Sequence, residues 1–278
     1  MLKKLLKIVT LFLLTTTISF SLFSCEDVVD IDLTTAAPRL VIDASIKWQK
    51  GTLGNVQTIK LTTTTGFYSS IIPTVSGATV FITDGNAIQY DFNEIPGTGE
   101  YVCTNFNPEI RQSYTLTVIY DSQIYMATEA LIEVPTIDYV EQTEDGGFTG
   151  NEKEVKFFYQ DIPNQDNFYL VMFNSSNVSL PIIDIVSDSF FQNNQMFGYL
   201  SNGLEKDDTI LFTLHGISET YYNYMNILLG IAGGNGGSPF QTPPATVRGN
   251  IVNQTNFNNF ALGFFSLSET DTMSYTVE

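Results

Sequence analysis

From Pro38 to Val134 the chain repeats one pattern, a short run of alternating apolar and polar side chains followed by a turn. Tyr114, Leu116, Val118 and Tyr120 show it best, with Thr115 and Thr117 between them. A strand sends successive side chains to opposite faces, so this run buries its apolar set and leaves the threonines outward. Comparable runs occupy residues 39–46, 57–64, 79–83, 87–92, 99–104, 113–120 and 123–129. Gly77, Asp84-Gly85-Asn86, Pro96-Gly97, Asn107-Pro108 and Asp121-Ser122 separate them, and these residue types favour tight turns. Seven short strands in about 95 residues is the spacing of an immunoglobulin-like or fibronectin-like β-sandwich, expected over residues 38–134.

Val134-Pro135, followed by a polar, glycine-bearing stretch at 141–154, marks the expected domain boundary. Beyond it, strands are expected at 155–159, 168–174, within 181–191, and at 195–200, 209–214, 247–252, 260–266 and 273–277. One helix interrupts them at 219–229. Ser218 is its expected N-cap, Glu219 suits the first turn, and Gly230 is placed to end it in the left-handed conformation. Tyr221, Met225, Leu228 and Leu229 supply its apolar stripe. The class is therefore all-β, an N-terminal sandwich followed by a second β-rich domain at 135–278 that carries the helix.

Ahead of these strands, residues 1–24 have the layout of a secretion signal: Lys3, Lys4 and Lys7, an apolar run at 8–14, then a more polar continuation. Thr15, Thr16 and Thr17 break the run, which argues against a spanning helix of about 20 apolar residues. Leu22-Phe23-Ser24-Cys25 resembles a lipobox, so Cys25 is the expected lipidated first residue of the mature chain. Its acyl chains would exceed the two signals that stable membrane attachment requires. Residues 25–37 read as an acidic tether.

The leader takes three lysines and no acid with it, so the net charge of −18 becomes about −21 in the mature chain. A surface this acidic repels nucleic acid and anionic lipid headgroups, and excludes both as expected partners. With Cys25 acylated, Cys103 is the one remaining thiol, so no intrachain disulfide is available and stability must come from packing.

Candidate chemistry is sparse. His215 is the single histidine, so any catalytic triad must be built around it. Gly216-Ile217-Ser218-Glu219-Thr220 has Thr220 where a nucleophile elbow needs glycine, which favours capping and strand-end roles for Ser218 and His215. Asp161 and Asp166, with Asn164 and Asn167, offer oxygen ligands that calcium accepts, against the alternative of a turn capped by its own side chains. Trp48, beside Lys47 and Lys50, and Phe240 are the aromatic candidates for stacking on a ligand; Phe67 and Tyr68 are lesser ones. The glycines at 233–237 lack the following Lys-Ser or Lys-Thr of a phosphate loop and read as a connector. Cys103 has no basic neighbour and reads as a buried structural thiol. No catalytic constellation, resident metal or cofactor is expected.

Taken in order, several segments resemble a family of outer-membrane lipoproteins of unknown biochemical activity, whose genes accompany TonB-dependent receptors in Bacteroidetes-type Gram-negative bacteria. They are Cys25-Glu26-Asp27-Val28-Val29-Asp30-Ile31-Asp32-Leu33, Pro38-Arg39-Leu40-Val41-Ile42, Val75-Ser76-Gly77-Ala78-Thr79-Val80, Gly99-Glu100-Tyr101 and Ser113-Tyr114-Thr115-Leu116 ahead of Ile124-Tyr125. In the second half they are Asp161-Ile162-Pro163, Asn167-Phe168-Tyr169, Ser238-Pro239-Phe240, Gly249-Asn250-Ile251 and Leu262-Gly263-Phe264-Phe265. The resemblance implies a lipid-anchored accessory protein that helps a TonB-dependent receptor capture or admit a small nutrient. It implies further that Glu26, Asp27 and Asp30 form a surface-export signal. Asp208-Thr209-Ile210 and Asp271-Thr272-Met273 are similar to the O-glycosylation sequon of that bacterial group, with Thr209 and Thr272 as acceptors. An adhesin or envelope-structural module is the alternative role, and a surface hydrolase the third.

Overall fold

The computed structural model describes residues 37–66, 69–201, 203–232 and 247–278, together with Lys4 and Lys7. Cys25, Glu26, Asp27, Asp30, Phe67, Tyr68, Phe240 and the glycine-rich connector lie outside the described residues.

Strand β1 (Leu40–Gln49) buries Leu40, Ile42, Ala44 and Ile46 on one face and turns Asp43, Ser45 and Lys47 to the other. It pairs antiparallel with β2 (Gln57–Thr63), which continues through β5 (Glu100–Cys103) to β4 (Gln89–Ile95). Strand β4 changes partner halfway, Asn93–Ile95 pairing with β5 and Gln89–Phe92 with β3 (Thr79–Asp84). From β3 the sheet runs through β6 (Ser113–Tyr120) to β7 (Gln123–Ile132), and β14 (Val252–Asn253) adds to the far edge of β7.

On its other side β1 pairs in parallel with β15 (Leu262–Thr276), the last strand of the chain. Strand β15 also meets β7, Leu267 opposite Leu131 and Ser268 opposite Ile132, which closes the sheet in a barrel-like ring. The expectation of a sandwich complete within 38–134 is corrected by this closure. Ile251, Ala261, Phe265 and Leu267 belong to the same core as Ile42, Ile59 and Leu116. Residues Ala37–Glu278 accordingly form one compact unit.

The sequence pattern suggests two strands where β15 is one of 15 residues. Polar residues break its apolar pattern, yet they have partners, and Glu269 and Thr270 are buried. Glu269 takes the Val134 N–H at 3.0 Å and the Lys50 ammonium at 2.9 Å, Asp271 takes the Ile137 N–H at 2.8 Å, and Thr270 donates to Gln49 at 3.1 Å. One face of β15 thus serves two cores in series, Phe265 and Leu267 in the first, then Met273, Tyr275 and Val277 in the second.

The second core lies between a three-stranded sheet, β12 (Gln195–Leu200), β9 (Glu152–Gln160) and β8 (Ile137–Gly146), and the extension β11 (Ile182–Ser187), β10 (Phe168–Ser175), β13 (Thr209–Ile217) and β15. Aromatic rings fill it. Phe157 lies 5.1 Å from Phe212 and 6.0 Å from Phe173, and Tyr159 lies 5.3 Å from Tyr169. Strand β8 and the start of β9 occupy most of what reads as a polar boundary, and β8 holds its first part. It is an edge strand whose inner residues are few, so alternation hardly registers in its sequence.

The segments that carry the family resemblance are bound to one another by buried polar groups. The Tyr101 hydroxyl donates to the Val75 carbonyl at 3.0 Å and accepts the Ala78 N–H at 3.1 Å. The Tyr114 hydroxyl does the same with Asn107 and Glu109, both at 2.9 Å. The Asn250 amide pairs with both backbone groups of Phe265 at 2.9 Å, as a neighbouring strand would. Gly263 stands at φ 95°, and a Cβ there would collide with the Ile42 carbonyl, so β15 reaches β1 at this point because the residue is glycine.

Helix α1 (Glu219–Ile231) begins as expected, the Ser218 side chain accepting the Tyr221 N–H at 3.2 Å. Its end differs: the helix continues through Gly230, and Ala232 closes it in a right-handed conformation. Met225 is buried and Tyr221 and Leu229 partly so, whereas Leu228 of the expected stripe is exposed, with Ile227 and Ile231. The helix covers Phe168, Leu170 and Met172 of β10 and Ile183 and Ile185 of β11. Strand β10 is therefore apolar on both faces, Tyr169, Val171 and Phe173 serving the second core.

Candidate functional site

Beneath α1, on the face of the sheet opposite the two cores, lies a pocket of about 160 Å³. The pairing of β1 with β15 sets its floor, Ser45 opposite Ser266 and Lys47 opposite Ser268. Strand β13 adds His215, which sits between Leu170 of β10 and Thr270 of β15. Leu170, Met172 and Ile183 form an apolar wall, and Tyr221 and Met225 of the helix form the roof. Tyr221 and Tyr224 pack on Phe264 at 4.8 and 4.9 Å, closing the end near Asp43.

His215 is 5% exposed, and its Nε2 has no hydrogen-bond partner among the described residues. Burial, and after it the positive charge of Lys47, pulls its pKa down to about 3, so the imidazole is neutral at physiological pH. A buried polar atom without a partner costs about 1–3 kcal/mol. Two other buried hydroxyls, Tyr159 and Ser175, also lack partners among the described residues, but neither lines the pocket. Burial, reinforced by Asp43, pushes the Tyr221 hydroxyl up to about 12, so it stays protonated as a donor. Lys47 is exposed and takes part in none of the ion pairs among the described residues. The arrangement is a concave site, apolar on one side, with a few convergent polar groups on the other.

His215 lies inside β13 and faces this pocket, while the Ser218 oxygen is engaged in capping the helix. Asp161 and Asp166 turn to different partners. Asp161 is 1% exposed and accepts from the Tyr169 hydroxyl at 2.9 Å, the Asn167 amide at 3.2 Å and the Asn193 N–H at 3.0 Å. Asp166 accepts from Gln192 at 2.7 Å. The Asn167 amide also reaches Asp188 at 3.2 Å, so the cluster ties three loops together. No group of three or more metal-ligating side chains occurs among the described residues.

Trp48 belongs to the inner face of β1, packs on the first core and donates from its indole to the Thr52 carbonyl at 2.9 Å. Its neighbour Lys47 faces the pocket instead. Thr209 and Thr272 are exposed, on paired strands β13 and β15. Cys103 is buried, and burial raises its pKa. Ser45, Ser266, Ser268 and Tyr221 carry no motif that marks them as site residues in the sequence. The signal available is the polar face of β1 at Asp43, Ser45 and Lys47, which reads locally as solvent-facing until a helix is laid over it.

These features define an all-β protein with a closed sheet and a helix-roofed pocket. The chain belongs to the family described as Domain of unknown function (DUF4249), which it matches over residues 26–274. No curated protein matches it. Among solved structures it is similar to a two-domain fibronectin type-III segment of chicken tenascin, at 10% identity over 64% of this chain and 90% of that one, TM-score 0.22. A DUF4785 family protein from Legionella pneumophila matches at 9% identity over 64% and 52%, TM-score 0.26, and a cytokine receptor complex at 10% over 64% and 89%, TM-score 0.26. Likeness of this size carries no functional argument.

Proposed function

We propose that the protein is a lipid-anchored, surface-facing outer-membrane protein that captures a small ligand and assists a TonB-dependent transporter in taking it up. The pocket beneath α1, with Lys47 and the neutral His215 among its lining residues, is the observation that carries the capture role. The lipobox ending at Cys25 and the acids Glu26, Asp27 and Asp30 support the anchor and the outward address. Mild detergent extraction and purification of the native complex is the test. A TonB-dependent receptor should co-purify, and a preparation that repeatedly lacks one overturns the transporter role.

An adhesive or envelope-structural role is the second reading, favoured by the outer face of the three-stranded sheet. There Tyr139 stacks on Phe158 at 4.7 Å, and Phe197 and Tyr199 stand beside them about half exposed. Replacing Phe197 and Tyr199 with serine would weaken adhesion under that reading and leave uptake unchanged under the first.

A further inference from the structure

The geometry points to the chemical class of the ligand: we infer that the pocket beneath α1 takes a small monocarboxylate with an apolar body, its carboxylate held between Lys47 and His215. The inference rests on the capture role proposed above and adds the identity of the recognised group. Size comes first. A space of about 160 Å³ is close to that of a cavity known to hold benzene, so the occupant has on the order of ten heavy atoms. Polarity is split across it. Leu170, Met172 and Met225 offer only carbon and sulfur surface, whereas the opposite side carries the hydroxyls of Ser45, Ser266 and Ser268. An amphipathic molecule fits both sides, and a fully polar one leaves the wall without a partner.

Charge fixes the sign. Lys47 lines this pocket and, like Lys206, stands outside the ion pairs of the described residues, so its ammonium is available to a ligand there. A carboxylate accepts from an ammonium, from the N–H of a neutral imidazole and from the hydroxyls of Ser266 and Ser268, whereas the Ser45 hydroxyl donates to Asp43 at 3.0 Å. Asp43 limits the choice further. It lies at the Tyr221 end, where its charge acts on the Tyr221 and Tyr224 hydroxyls, so a second carboxylate at that end of the ligand meets repulsion.

The test exploits the single histidine, whose imidazole signals in a proton NMR spectrum belong to this site alone. The mature full-length chain is titrated with benzoate, with the neutral benzyl alcohol and with the dianion terephthalate. Benzoate should move the His215 signals saturably, benzyl alcohol should bind at least ~10-fold more weakly, and terephthalate weaker still. Lys47→Met should cost ~10-fold or more in benzoate affinity and leave benzyl alcohol unchanged, with Lys47→Arg restoring most of the loss. Signals unmoved by benzoate up to tens of millimolar, or moved equally in Lys47→Met, overturn the assignment. If that happens while the receptor still co-purifies, the ligand class is wrong and the transporter role stands; benzoate binding without any receptor upholds the ligand class and removes the transporter role.

Discussion

The Glu269 carboxylate accepts the backbone N–H of Val134 at 3.0 Å, joining the last strand of the chain to the link between β7 and β8. The same oxygen meets Lys50 at 2.9 Å, and Glu269 is 8% exposed. Removing it strands a buried N–H and a half-buried ammonium, so Glu269→Ala should lower unfolding free energy by about 2–3 kcal/mol, the partial exposure of Lys50 holding the figure down. Glu100→Ala removes an exposed bridge to Lys60 and should cost about 0–1 kcal/mol. Urea denaturation of both variants makes the comparison, and equal costs would mean that the Glu269 contact contributes little.

Closure of the sheet depends on Gly263. Any side chain there meets the Ile42 carbonyl, so Gly263→Ala should destabilise by about 3 kcal/mol or more, or prevent folding. Asn250→Ala removes the amide that pairs with both backbone groups of Phe265 and should cost about 2 kcal/mol. Denaturation midpoints read both, and a neutral Gly263→Ala would show that β15 does not need this approach to β1.

His215 makes a specific pH signature. Its folded pKa of about 3 lies below the unfolded value of about 6.5, so acid favours proton uptake by the unfolded chain. The stability it contributes is complete above pH 6.5 and falls by up to about 1.4 kcal/mol per pH unit until pH nears 3. His215→Gln lacks that loss. The stability of the wild type relative to the variant should therefore decline between pH 6.5 and pH 3; a constant difference would show that the imidazole is not sequestered. NMR of the single histidine reads the same pKa directly.

Ser218 separates a capping role from a chemical one. Ser218→Ala should cost about 1 kcal/mol, and Ser218→Asp, which also accepts from the Tyr221 N–H, should recover most of it. Failure of Asp to rescue, with any hydrolytic activity lost alongside, would favour a nucleophile instead.

Local pattern reveals what is locally determined. Strand β6 falls on its expected residues because Tyr114, Leu116 and Val118 alternate strictly, and the start of α1 is legible in Ser218 and Glu219. Strand β15 is hidden in the sequence because its middle residues are polar groups whose partners, Val134, Ile137 and Lys50, come from distant sequence. The pocket is hidden for a related reason. Asp43, Ser45 and Lys47 look like a solvated strand face, and nothing near them announces a helix supplied about 170 residues later. Trp48 stands out in the sequence as an aromatic beside two lysines, whereas strand parity puts it in the core and Lys47 in the pocket.

The claim that the space beneath α1 is a ligand site is tested most directly by thermal melts of the mature chain against small molecules of about ten heavy atoms. Wild type and Ser266→Leu, which fills the polar floor, are compared, each against its own ligand-free Tm. At least one compound should raise the wild-type Tm with increasing concentration, by the equivalent of about 2.7 kcal/mol at 100 times its Kd, and leave Ser266→Leu unmoved. Equal stabilisation of both proteins, or of neither by any compound, would contradict the account.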